Sequence, residues 1–425
     1  MERAVAEATR ALPLLHAVAA GWILLSYIDR QLDADASISL DLNWLRFWRR
    51  RRKTVVWIDG CYDMTHFGHF NAFRQARALG DHLIVGLNPD AEVVRYKGSA
   101  PLFKESERLQ AIKACKWVDQ VVENVPYVLN ETYLNEVVFG EHKVDYVVHG
   151  DDPCLDAEGN DVFATSKAAG KYREIKRTEG VSTTDLVGRM LLMTKSHHSR
   201  GNTPDTSPVP ARTNPQSPLR ERIGEQFEKV AGFAGFLPTS RRIAEFAAPN
   251  RRPKPNDRIV YVDGTFDLLL PCHVRFLEQA RKLGDFLIVG VHRDDEVNRY
   301  KGRNFPIMNL QERVLGVLSC RYVDEVVMGA PWVVTSDLMT TFNISVVAHG
   351  TQYDRTTGGS DDYVDAYRIP KERGIFREVP STAEGGVVEI IERVLKNREE
   401  FERKFTKKSA QEDAYYSNKK YVHES

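Results

Sequence analysis

Cysteine is scarce in this 425-residue chain: five residues, Cys61, Cys115, Cys154, Cys272 and Cys320, odd in number and widely spaced. No CxxC pair occurs, which argues against a disulfide framework or a zinc knuckle and fits a reducing compartment. Net charge is missing too. The 59 Lys and Arg balance 59 Asp and Glu, so no global basic field marks a nucleic-acid binder. Long uncharged apolar runs are absent with one exception. Residues 11–28, ALPLLHAVAAGWILLSYI, carry no acidic or basic side chain and reach the lower limit of a spanning helix, roughly 17–25 residues. Arg46 and the run Arg49-Arg50-Arg51-Arg52-Lys53 follow, and the positive-inside bias would hold the remainder of the chain in the cytosol. Two other readings stand beside a retained anchor. One is a signal peptide cleaved near Ala34-Asp35-Ala36; the other is an apolar helix lying on the membrane surface. The odd free cysteines weigh against secretion and favour the anchor.

What is present is a repeat. TVVWID (54–59) is an apolar, β-branched run and reads as a buried strand; GHFNAFRQARAL has helical spacing, and HLIVGLN reads as a second strand. The same order returns in IVYVD, CHVRFLEQARKL and FLIVGVH. ARALGDHLIVGLNPDAEVVRYKG at 76–98 matches ARKLGDFLIVGVHRDDEVNRYKG at 280–302, and 204 residues separate both Asp63 from Asp267 and Lys97 from Lys301. Strand, helix, strand in sequence implies parallel βαβ units. The expected fold class is α/β: two tandem Rossmann-like lobes with parallel sheets, preceded by a hydrophobic helix. The expected boundaries are 1–53 for the anchor and its basic flank, 54–193 for the first lobe and 258–395 for the second. Residues 194–257 form the linker, and 396–425 a charged tail. The linker holds RGNTPDTSPVPARTNPQSP, a flexible composition. Its stretch 233–246 is apolar enough to dock on a lobe.

The first lobe carries two anion-binding signals. His66-Phe67-Gly68-His69 opens a helix just after the first strand, where free N–H groups and the positive dipole end attract phosphate. His66 and His69, three apart, lie on one side of the first turn, and Gly60 and Gly68 permit close backbone approach. Alone, such a pair also fits a structural histidine couple or half of a metal site. The second signal is KRTEGVSTTDLVGRM at 176–190. Arg177 offers a planar cation, Gly180 a tight turn, and Ser182, Thr183 and Thr184 hydroxyls that cap a helix. With Lys97, three donor clusters suffice for a triphosphate.

HFGH, RYKG and RTEGVSTT in one lobe resemble the cytidylyltransferase family of the nucleotidyltransferase superfamily. Two lobes joined by a linker are similar to the branch of that family that uses phosphoethanolamine, and the apolar N-terminus is similar to its plant forms. The choline-phosphate branch has one catalytic lobe followed by a long lipid-binding amphipathic helix; the tail here is mostly charged. The resemblance implies that CTP and phosphoethanolamine give CDP-ethanolamine and pyrophosphate. It places His66, His69 and Lys97 at the reacting phosphates. Gly60, Cys61, Tyr62, His149, Arg177, Gly180, Ser182, Thr183 and Thr184 would hold CTP. Asp59, Tyr127 and Asp151 would hold phosphoethanolamine. Mg2+ would arrive with CTP. Expected partners are these two small molecules and a membrane through residues 11–28, mitochondrial outer or endoplasmic reticulum; nucleic acid is not expected, and a homodimer is compatible.

The second lobe departs from the pattern. Leu270 stands for His66 and Cys272 for Gly68, while His273 remains; FREVPSTAEGG (376–386) replaces RTEGVSTT. Thr265, Phe266, His273, Lys301, His349 and Gly350 outline a nucleotide site that has lost donors. Three roles stay open: a structural partner of the first lobe, a regulatory cytidine-nucleotide site, or a second active site. Other functional classes are a class I aminoacyl-tRNA synthetase, which would need a KMSKS-like loop not found here, other nucleotidyltransferases including the choline-phosphate and adenylyl-transferring ones, and a membrane-tethered nucleotide-binding scaffold without turnover.

Overall fold

A computed structural model describes residues 52–151, 161–178, 180–193, 236–248, 251–302, 305–351, 365–381, 384–397 and 401. The expected anchor at 11–28, most of the linker and most of the tail lie outside the described residues. Among those described, no helix is long and apolar enough to cross a membrane.

The first sheet is built from β1 (Val55–Gly60), β2 (His82–Leu87), β3 (Gln120–Val122), β4 (Tyr146–Gly150) and β5 (Tyr172–Ile175), in the order β3-β2-β1-β4-β5. Every pairing is parallel. Parallel strands are buried on both faces, which is why β1 and β2 read as continuous apolar runs. Helix α1 (Phe67–Ala78) crosses from β1 to β2. Helices α2 (Asp90–Lys97) and α3 (Glu105–Lys113) follow β2, and α4 (Thr183–Met193) follows β5. The strand order reverses between β1 and β4, and ligands of such sheets bind outside the carboxyl ends of the strands at that point.

Helix α5 (Phe236–Ala247) arises from the apolar stretch of the linker. Phe246 is fully buried, with its ring edge-on to Trp117 at 5.0 Å. Glu245 reaches Arg74 at 3.5 Å, and Lys116 donates to the Phe246 carbonyl.

The second sheet repeats the first: β6 (Ile259–Gly264), β7 (Phe286–His292), β8 (Glu325–Ala330), β9 (Val346–Gly350) and β10 (Phe376–Val379), in the order β10-β9-β6-β7-β8, all parallel. Its main helices are α6 (Pro271–Arg281), α7 (Asp294–Lys301), α8 (Leu310–Ser319) and α9 (Val387–Lys396).

The lobes meet about a local pseudo-twofold. Cys115 faces Cys320 in an isolated antiparallel bridge, with the Lys116 amide on the Ser319 carbonyl at 2.9 Å and the Arg321 amide on the Ala114 carbonyl at 2.8 Å. Two ion clusters flank it. Arg189 of α4 grips Glu312 of α8 through two hydrogen bonds, 2.7 and 3.0 Å, and pairs with Asp185 at 2.8 Å. Arg393 of α9 grips Glu107 of α3 at 2.7 and 2.9 Å, and pairs with Glu389 at 2.6 Å. One apolar core runs through both lobes, from Phe70, Phe103 and Met190 to Leu270, Val317 and Val394. This shared core joins the two halves into one packed unit, and each lobe also keeps a core of its own, around Trp57, Ile84 and Val147 in the first and Tyr261, Ile288 and Val347 in the second.

Candidate active site

A cavity of about 650 Å3 opens at the carboxyl ends of β1 and β4, within the range of pockets that take small molecules and cofactors. His66 and His69 enter it from the start of α1, Lys97 from the end of α2, and Ser182, Thr183 and Thr184 from the start of α4. Asp59, Gly60, Cys61 and Tyr62 form its floor at the end of β1; His149, Tyr127 and Arg177 close its sides. Thirteen of the fifteen first-lobe residues expected from sequence thus share one cavity wall. Asp151 and Gly180 do not. Asp151 instead accepts the Arg177 amide at 2.9 Å, so it shapes the loop that presents Arg177. Gly180 is exposed at φ +79°, a left-handed turn position.

The histidine pair has a structural task that spacing alone did not reveal. His66 is the N-cap of α1. Its Nδ1 accepts the Gly68 amide at 3.1 Å, and the Nδ1 of His69 accepts the His66 amide at 3.3 Å. This is a reciprocal capping box made of two imidazoles. With Nδ1 an acceptor on each ring, the neutral tautomer carries its proton on Nε2, and Nε2 is then the donor atom. The rings stack with centroids 4.0 Å apart, and Tyr62 braces His69 edge-on at 5.6 Å. Gly68 is needed by the rings as much as by any ligand. A Cβ there would lie 2.9 Å from Val181 Cγ1 and 3.0 Å from the His66 ring.

The second helix N-terminus is built as the sequence suggests, with the labour divided. Ser182 Oγ accepts the Asp185 amide at 3.1 Å and so caps α4, while Thr183 Oγ1 donates to the Asp63 carbonyl at 3.0 Å. Asp63, third in the DG-x-aromatic-D frame after the glycine, is a brace: its carboxylate accepts the amides of Leu102 and Phe103, each at 2.9 Å. Arg108 was not singled out by sequence reasoning. Its side chain is fully buried and holds the carbonyls of Cys61 at 2.7 Å and Asn88 at 3.0 Å, plus Asp90. The signal was there in the repeat, since Glu107-Arg108 returns as Glu312-Arg313. Arg313 makes the same clamp on Thr265, His292 and Asp294. Phe401, from beyond α9, also lines the first-lobe cavity.

Two groups fit a cationic ligand. Burial lifts the Asp59 carboxyl to about 6, against the opposing pull of its hydrogen bond from Trp57 Nε1 at 2.9 Å and of His149. Tyr127 stacks on Tyr96 with centroids 4.8 Å apart, and Lys97 Nζ lies 5.8 Å from the Tyr127 centroid. Among the described residues no group of three His, Cys, Asp or Glu side chains could hold a metal ion.

In the second lobe His273 Nδ1 still accepts the Leu270 amide at 3.0 Å, and Phe266 takes the place of Tyr62, 5.6 Å from the His273 ring. Leu270 offers no donor. Lys301 ends α7 with Nζ 5.9 Å from the Phe305 centroid, and Tyr300 stacks on Trp332 at 3.7 Å. The Thr265 carbonyl is held by Arg313. A side chain at Gly350 would begin 2.6 Å from Ser381 Oγ. His349 lies beside Tyr367, and burial pushes its imidazole below the usual value.

One imidazole-bearing and one hydroxyl-bearing helix start around one cavity, in a strand-and-helix frame that recurs along the chain, agree with a match to the cytidylyltransferase-like family model over residues 57–189 and 261–399. The chain belongs to the cytidylyltransferase-like family. Among similar family members, a protein of Dictyostelium discoideum named ethanolamine-phosphate cytidylyltransferase is 49% identical over 84% of this chain and 95% of its own length. Proteins of the same name from Arabidopsis thaliana and Mus musculus are 43% identical over 93% of this chain and 44% identical over 86%. They align along 93% and 91% of their own lengths, so the cytidylyltransferase-like duplication is shared nearly end to end.

Proposed function

We infer that the chain transfers the cytidylyl group of CTP to phosphoethanolamine, giving CDP-ethanolamine and pyrophosphate in the supply of phosphatidylethanolamine. The observation that carries this is the near full-length match to relatives of that name, with the lined cavity in the matched first lobe. A phosphate oxygen of phosphoethanolamine attacks the α-phosphorus in line. One P–O bond forms, the bond from the α-phosphorus to the bridging oxygen breaks, and pyrophosphate leaves with the electron pair. No covalent enzyme intermediate is required. Catalysis is positioning plus stabilisation of charge that develops on the phosphates.

In this reading the Nε2–H groups of His66 and His69 donate to the CTP phosphates as charge builds. Lys97 bridges the phosphates of the two substrates. Arg177, the amides at the start of α4 and Thr184 hold the triphosphate, with Ser182 and Thr183 keeping that helix start in place. Gly60, Cys61, Tyr62 and His149 surround the nucleotide, and Asp59 with the Tyr127 face takes the ammonium group. Mg2+, carried in on the triphosphate, would supply charge neutralisation there. Attachment to a membrane through residues 11–28, facing the cytosol at the mitochondrial outer membrane or endoplasmic reticulum, and self-association as a homodimer complete the proposal. Retention in the membrane pellet through alkaline carbonate tests the first, and sedimentation the second.

The function is tested by turnover of radiolabelled CTP with phosphoethanolamine and phosphocholine in parallel. Labelled CDP-ethanolamine as the dominant product supports it. Preference for phosphocholine would move the chain to the choline branch, and nucleotide binding without turnover would leave a scaffold.

A further inference from the structure

Helix α1 carries the histidine pair at its start and also holds the Arg177 segment. His66 and His69 stand at its opening, and Asn71 and Gln75, each 1% exposed, stand on the turns behind them. Gln75 pairs with the backbone of Lys176 as a neighbouring strand would: its Nε2 donates to the Lys176 carbonyl at 2.9 Å and its Oε1 accepts the Lys176 amide at 3.2 Å. Asn71 Nδ2 donates to Thr178 Oγ1 at 2.9 Å, while its Oδ1 accepts Arg74 Nε at 2.9 Å, which fixes the orientation of the amide. Between them the Arg177 amide is held by Asp151. Three successive residues on the cavity wall, Lys176, Arg177 and Thr178, are thus each tied by a side chain from elsewhere in the lobe.

The second lobe shows that the fold does not need these ties. Tyr172–Ile175 and Phe376–Val379 pair with β4 and β9 in the same register, so Pro380 stands where Lys176 does, and proline has no N–H to give. Gln279, 204 residues after Gln75, is exposed, and Arg275, at the place of Asn71, turns to Gln110 Oε1 at 3.0 Å. Strand β10 still ends there and α9 still follows it. The ties therefore accompany the phosphate-binding residues and not the strand-to-helix connection itself. We propose that Gln75, with Asn71 beside it, is a positioning residue for the nucleotide: it sets the Arg177 segment at the distance from His66 and His69 at which all three reach one triphosphate. Misplacement by about 1 Å can cost on the order of hundredfold in such a site. This inference rests on the reading that Arg177 holds the triphosphate.

The experiment compares full-length Gln75→Leu, Arg177→Ala and the double variant with the parent chain by steady-state kcat and KM for each substrate, each beside its thermal midpoint. Arg177→Ala is expected to raise the KM for CTP about tenfold or more, the scale of a hydrogen bond to a charged group. Gln75→Leu is expected to raise the same KM about fivefold or more, with the KM for phosphoethanolamine little changed. Because Gln75 acts through the Arg177 segment, the double variant should be little worse than Arg177→Ala alone; effects that multiply in full would overturn the proposal. If Arg177→Ala raises the KM for CTP while Gln75→Leu lowers only the midpoint, Gln75 is a stability residue, the positioning role is refuted and the Arg177 reading stands. If Arg177→Ala leaves that KM unchanged, both fall. Should Gln75→Leu not yield folded protein, Gln75→Glu keeps the acceptor for the Lys176 amide and loses the donor to its carbonyl, and an unchanged KM for CTP there overturns the proposal.

Discussion

At the scale of single residues, the imidazole pair joins architecture to chemistry. Replacing His66 by alanine removes the cap of α1 and, in the proposed reading, a phosphate donor. Turnover should fall on the order of hundredfold or more, the usual cost of losing a preorganised donor at a charged transition state. Stability should fall by about 1 kcal/mol, the usual cost of losing a cap. Stopped-time turnover and a denaturation midpoint measured on the same preparation separate the two effects; near-parental turnover would remove His66 from the reacting centre. Asp59 gives a second prediction. Burial raises its folded-state pKa to about 6 from 3.8, so between those values the folded chain holds a proton that the unfolded chain does not. The cost of burying its charge is fully present above about 6 and is relieved as pH falls toward 3.8. Binding of an ammonium group needs the ionised form, so the KM for phosphoethanolamine should climb by roughly tenfold per unit below pH 6. The substrate's own phosphate titrates near pH 6 as well, and the profile of Asp59→Asn is the control. Coincident profiles for the two chains would show that Asp59 does not set the dependence.

At the scale of elements, the helix starts and the parallel strands were legible in the sequence because they rest on local patterns. The β-branched runs at 55–60 and 259–264 and the His-x-Gly-His and Ser-Thr-Thr helix openings each carry their signal within a few residues. The apolar part of the linker likewise read as a docking segment, and Phe246 shows why. What was not legible lies in contacts between residues far apart. The placement of Asp151 behind Arg177 and the clamp made by Arg108 depend on loops that meet only in three dimensions. The same holds for the Arg189–Glu312 and Arg393–Glu107 pairs, which join helices of different lobes. Arg189→Met would leave Glu312, only 8% exposed in its side chain, buried without its guanidinium partner. A loss of about 3–5 kcal/mol is expected for breaking such a pair, read as a lowered denaturation midpoint. A midpoint within a few tenths of a kcal/mol of the parent would mean that the pair adds nothing. Because α4 begins with Ser182 and Thr183 and carries Arg189 two turns later, the same variant should also raise the KM for CTP.

At the scale of the whole molecule, the second lobe shares a core with the first. Leu270, which stands where the first lobe has His66, is fully buried in that core, so that position serves apolar packing in the second lobe. Deleting residues 258–425 would uncover the shared face from Phe103 to Met190, and insoluble or aggregated protein is expected; a soluble, active first lobe would show that the shared core is dispensable. The central claim is that chemistry belongs to the first lobe and support to the second. It is tested most directly by turnover of CTP with phosphoethanolamine in two full-length variants, His69→Ala and His273→Ala, each measured beside its thermal midpoint. The two histidines make the same capping bond, to His66 in one lobe and Leu270 in the other, so the structural cost is matched. The account predicts a loss on the order of hundredfold for His69→Ala and turnover within roughly threefold of the parent for His273→Ala. A hundredfold loss in His273→Ala at an unchanged thermal midpoint would contradict it and make the second pocket catalytic or tightly coupled to catalysis.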